Sequence, residues 1–264
     1  MKPFYLFLGL MLALFACAAP DARSQNASHK KDTASKATNP DEEYVFKLIP
    51  FIDKSIMEPP YGLDRLKALI AKMESESTDK FIVATQLDAK VYDSLSFNEK
   101  FTYHMIHPES YSQNCSILPT RTDEANRIYG QLPHIFGEFS WSSRQYNFFK
   151  DNRDSVQQLI KSVIEKNRAV GENFKKAIVI MNSQELIPLL IGIYNKEKKD
   201  HYILTALMLL MKENNYPEFM KSAFYRTLYD LKTGRYSAHL TYNNTNEALI
   251  IQQATNFYNG LQAK

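Results

Sequence analysis

The second half of this chain reads as one helix start after another, joined by links too short for anything but packing between neighbours. Apolar residues recur there at three- and four-residue spacing, the period of a helix with one buried face. Asp154…Gln157, Asn182…Glu185 and Asn244…Glu247 each match a capping box. In such a box a side-chain oxygen, and a carboxylate or amide three residues on, satisfy free backbone N–H groups. Tyr216-Pro217-Glu218 marks a further start, with proline where its missing N–H is harmless. The predicted helices cover about 155–167, 172–181, 184–195, 201–214, 217–231 and 245–261. Leu204, Leu207, Met208, Leu210 and Met211 read as buried core. Polar links such as Lys196-Glu197-Lys198-Lys199 favour antiparallel neighbours.

Earlier in the chain the pattern is less regular. Asn39 as N-cap, Pro40 and the acidic run Asp41 to Glu43 open a helix, and Glu58-Pro59-Pro60-Tyr61-Gly62 breaks the chain. A second helix follows over about 63–76, with Leu63, Leu66, Leu69, Ile70 and Met73 on one face. Tyr236 to Tyr242 alternates with period two, as a lone strand or an extended crossing segment does. Taken in pairs, the later helices start about 29 and 33 residues apart, which resembles the stacked hairpins of an α-solenoid. No residue signature recurs from pair to pair, so an irregular bundle stands beside that arrangement. The expected fold class is all-α: a single mostly helical domain over 41–264, less regular over 41–150, with antiparallel hairpins over 151–264.

The fold must hold without a disulfide. Only Cys17 and Cys115 are present, and Cys17 lies where a leader is cut, so Cys115 has no intramolecular partner. A composition of 44% hydrophobic and 12% aromatic residues supplies a core without one.

Lys2, the apolar run Leu6 to Phe15 and then Ala16-Cys17 form a positively charged start, a short hydrophobic stretch and a cleavage region. The apolar run is shorter than the roughly 20 residues that span a bilayer. Leu14-Phe15-Ala16-Cys17 resembles the lipobox of bacterial lipoproteins. The resemblance implies cleavage before Cys17, acyl chains such as palmitate on that residue, and residence in the cell envelope, on the periplasmic or outer-membrane face. Ala16-Cys17-Ala18 also fits an A-x-A site for ordinary secretion. Three glycosylation acceptor patterns, at Asn26, Asn114 and Asn243, leave a eukaryotic secreted reading open. From Ala18 to Pro40 there is no aromatic or large aliphatic residue, so this stretch reads as a flexible tether with a reach of about 27 Å.

The formal net charge is +3. Lys2 and the tether, where Arg23, Lys30, Lys31 and Lys36 outnumber Asp21 and Asp32, hold that surplus and leave the body near neutral. A nucleic-acid partner is therefore not expected, since it needs basic residues concentrated on a folded face. With eight glycines and no Gly-rich phosphate loop, G-x-S-x-G elbow or C-x-x-C motif, the familiar cofactor and nucleophile signatures are missing, and no cofactor is expected.

Chemistry, if present, concentrates between Phe101 and Phe149, which gather three of the six histidines, the single tryptophan and Cys115. His104 and His107 stand three apart and share a helix face if the helix reaches Pro108. With Glu109 and Cys115 they include all the ligand types a zinc-like ion takes. Cys115 could also act as a nucleophile, with His104, His107 or His134 as base and Asn114 nearby. The bland alternatives are histidines bonded within the structure and a small buried thiol. Trp141 and Tyr146, beside Phe148 and Phe149, suggest a ligand groove or a packed helix that Ser140 caps. The expected role is a lipid-anchored binding or scaffolding module for a peptide or protein partner. The alternative is an envelope hydrolase or metal-binding protein built on 101–149.

Overall fold

The computed structural model describes residues 55–77, 85–112, 123–230 and 237–263. The leader, the tether, the expected helix after Pro40, Asn114 and Cys115 lie outside those residues. Helix α1 spans Leu63–Ser75, α2 Ala89–Asp93 and α3 Phe97–Ile106, followed by strands β1 (Ser110–Tyr111), β2 (Arg127–Tyr129) and β3 (Phe139–Ser140). Helices α4 (Ser143–Asp151), α5 (Arg153–Asn167), α6 (Glu172–Ile180), α7 (Ile187–Glu197) and α8 (His201–Glu213) follow. The chain continues through α9 (Pro217–Met220), α10 (Ala223–Tyr229), β4 (His239–Thr241) and α11 (Asn244–Gln262). The described part is thus mostly helical, with little strand. Among the described residues no helix is long and apolar enough to cross a membrane.

Helix α8 is the hub. Every residue from His201 to Met211 is buried, as expected of a helix that is apolar all round, and it packs against α6, α7, α9, α11 and β2. The strands are short clasps that tie distant segments together. β1 pairs antiparallel with β3, and β2 with β4 in the register Arg127↔Thr241, Ile128↔Leu240 and Tyr129↔His239. The alternating segment before Tyr242 is therefore a paired strand over His239–Thr241, with Leu240 turned into the core.

Helix positions follow the apolar period closely, while their caps fall elsewhere. Asn152 precedes α5 without a side-chain cap, and the Asp154 carboxylate meets Arg153 at 3.2 Å instead. Asn182 takes a left-handed conformation with φ 52° and bonds Asn214 across the fold at 3.0 Å. A 3-10 turn over Gln184–Leu186 then leads into α7. Asn243 caps α11 by accepting the Asn246 N–H at 2.8 Å. With the cap at Asn243 the box position falls on Asn246, and Glu247, one residue further, accepts from Tyr242 at 3.0 Å and pairs with Lys198 at 2.8 Å. The expected helix over 217–231 is two helices, because Ser222 restarts the chain by accepting the Tyr225 N–H at 3.1 Å. Complete capping boxes occur at Ser96…Glu99 on α3 and Ser142…Gln145 on α4. Ser140 sits in β3 instead of capping.

Candidate functional site

The histidine-rich stretch forms a closed polar knot. Helix α3 ends at Ile106, and His107 is already extended, with φ −140° and ψ 127°, because the following Pro108 disfavours helical backbone. His104 and His107 therefore point to different partners. The His104 Nε2 lies 2.9 Å from the Tyr92 hydroxyl, and the Trp141 indole N–H donates to the His104 carbonyl at 2.7 Å. Its Nδ1 is buried without a hydrogen bond. Burial above all, then the charges of Arg144, His107 and Lys100, drive the His104 pKa down to about 3, so this imidazole is neutral. The His107 Nε2 donates to the Thr85 carbonyl at 2.7 Å.

Glu109 is fully occupied. Its fully buried carboxylate takes Arg144 through Nη2 at 2.5 Å and Nε at 3.2 Å, and the Ser142 hydroxyl donates to it at 2.6 Å. The Gln145 amide closes the knot by accepting from the Glu109 and Ser142 N–H groups and donating to the His107 carbonyl. Such a network fixes a unique arrangement because every member needs the others. Among the described residues, no group of three or more His, Cys, Asp or Glu side chains is placed to hold a metal ion.

A separate cavity of about 350 Å³ opens on the other side of Trp141, within the range of small-ligand sites. Its floor and walls come from five segments: Tyr129 of β2, the Gln131–His134 loop, Tyr146 of α4, and one face each of α6 and α8. On α6 the contributing residues are Lys176, Val179 and Ile180; on α8 they are Tyr202, Leu209, Lys212 and Glu213. The rings of Tyr129 and Tyr202 stack at 6.0 Å and 14°. The Thr205 hydroxyl holds β2 in place by donating to the Tyr129 carbonyl at 2.7 Å. Trp141 is buried behind the wall, edge-on to Tyr146. Of the two aromatic residues expected in a groove, Tyr146 lines the cavity and Trp141 backs it.

The charges of this cavity do not cancel. Lys212 pairs with Glu213 at 2.8 Å, whereas among the described residues Lys176 has no ion pair; its Nζ lies 5.4 Å from the centre of the Trp141 ring. Burial lowers the Lys176 pKa. At the rim, burial and then the Lys176 charge push the His134 pKa down as well.

Lys176, Tyr129 and Tyr202 were not among the expected site residues, and only Lys176 left a trace in the sequence. It stands at i, i+3, i+4 with Val179 and Ile180, a lysine on a stripe that otherwise reads as core. The chain matches no family model, no curated protein and no solved structure.

Proposed function

We propose that this protein is a lipid-anchored module of the cell envelope that binds a peptide or protein partner through the cavity between α4, α6 and α8. One observation carries the reading: a cavity walled by tyrosines and aliphatic side chains, and holding an ammonium with no ion pair among the described residues, lies beside a knot in which Glu109, Arg144, Ser142 and Gln145 already serve each other. Apolar walls with a few polar groups set orientation and selectivity in binding sites. The sequence from Lys2 to Cys17, followed by the polar stretch to Pro40, supports the anchor and tether. Stacked hairpins as the scaffold belong to the same proposal. They are supported by α4 with α5, and α7 with α8, pairs that adjoin in sequence and touch in space.

The test is cross-linking in intact cells followed by mass spectrometry, with a fatty-acid label fed to the same cells. The expected result is label on Cys17, lost in Cys17→Ser, and partner cross-links that map to the cavity rim. Cross-links scattered over the surface, or recovered only near Glu109, would contradict the reading.

A further inference from the structure

The lysines at 175 and 176 are neighbours in sequence with opposite circumstances. Successive residues on a helix point about 100° apart, so α6 sends one inward and the other into the cavity. Lys175 is buried and held by Glu172 at 2.6 Å and Asp200 at 2.8 Å. The fold thus supplies carboxylates where it buries a lysine for its own purposes. Among the described residues it supplies none to Lys176, although that ammonium lies over the Trp141 ring in a cavity it shares with Val179 and Ile180, where desolvation penalises an isolated charge.

The lining carries Lys176 and Lys212 as cations and Glu213 as the anion. Lys212 and Glu213 offset each other, and burial and then the Lys176 charge disfavour a proton on His134. One positive charge remains, which matches a monoanion. A phosphate dianion would call for several charged donors, and Lys176 is the one lining cation without an ion pair among the described residues. On α4, α6 and α8 the remaining lining residues, Tyr146, Tyr202, Val179, Ile180 and Leu209, offer aromatic and aliphatic surface.

We infer that the cavity takes an apolar body carrying a single carboxylate, the carboxylate paired with Lys176 and the body against Tyr146, Tyr202 and the Val179–Ile180 face. This rests on the reading of the cavity as the binding site and names its ligand chemistry. A free aromatic acid and a peptide ending in an apolar residue present the same group.

Calorimetric titration of the purified full chain with 3-phenylpropionate and with its neutral amide tests the inference without any substitution. The acid is expected to bind saturably, and the amide about tenfold or more weaker, the scale of a lost charge-assisted hydrogen bond. In Lys176→Met the two affinities converge, and in Lys176→Arg the preference for the acid is retained. Equal binding of acid and amide overturns the charge assignment while leaving the cavity as a site. Binding of neither overturns the inference, and cross-linking in cells then judges the wider reading separately. A pair of short peptides ending in phenylalanine, one with a free and one with an amidated terminus, separates the two sources. Tighter binding of the free-ended peptide than of 3-phenylpropionate assigns a chain end; the reverse assigns a small acid.

Discussion

A neutral imidazole sealed between Tyr92 and the rings of Phe148 and Phe149 makes this fold sensitive to acid. In the unfolded chain His104 titrates near pH 6.5, whereas in the fold it stays neutral down to about 3. Between those values the unfolded state binds the extra proton, so stability rises with pH through that window and is lost on acidification. From pH 7 to pH 4 His104 alone should cost about 3 kcal/mol. His107, whose pKa burial also lowers, acts in the same direction. Urea midpoints measured across this range should fall steeply in the unmodified chain and less steeply in His104→Phe. An equal slope in both would show that His104 is not the group responsible. Its type and its neighbourhood in sequence were legible before the fold. Its partners were not, because Tyr92 and Trp141 approach from 12 and 37 positions away.

At the scale of elements, helices were legible where the apolar period ran unbroken, as in α6 and α8, because burial of their apolar residues fixes them independently of their ends. Caps were not, because a side chain that can cap has competing partners elsewhere in the fold. Asn182 shows this: its amide bonds Asn214 across the fold instead of capping α7, which a 3-10 turn over Gln184–Leu186 precedes. Ser142 shows the opposite case. It caps α4 by accepting from the Gln145 N–H at 3.3 Å, and it donates to the buried Glu109 carboxylate at 2.6 Å. Ser142→Ala should therefore cost more than an ordinary cap, about 2 kcal/mol or more against about 1 for Ser96→Ala on α3. Ser96 also donates to a carboxylate, but Ser96 is exposed at the start of α3, where water can replace that bond. Chemical denaturation of the two variants checks the order, and equal costs would mean that the Glu109 contact adds nothing.

Over the whole molecule, a mostly helical fold was legible and the cavity was not. Its walls come from residues 129 to 213, brought together because β2 lies along α8 and is clasped by β4. No local pattern encodes that meeting, and Tyr146 and a lysine on an apolar stripe were the clues. The density of histidines and aromatic residues over 101–149 instead marks the knot that positions α4, and with it Tyr146. The measurement that bears most directly on this account places a photo-activated cross-linking residue at Tyr146 or at Tyr111 in the cell-borne protein, each with and without Lys176→Met. The account predicts a discrete adduct from position 146 that Lys176→Met abolishes, and none from position 111. An adduct from position 111 alone, or one from position 146 that survives loss of the lysine, would contradict it.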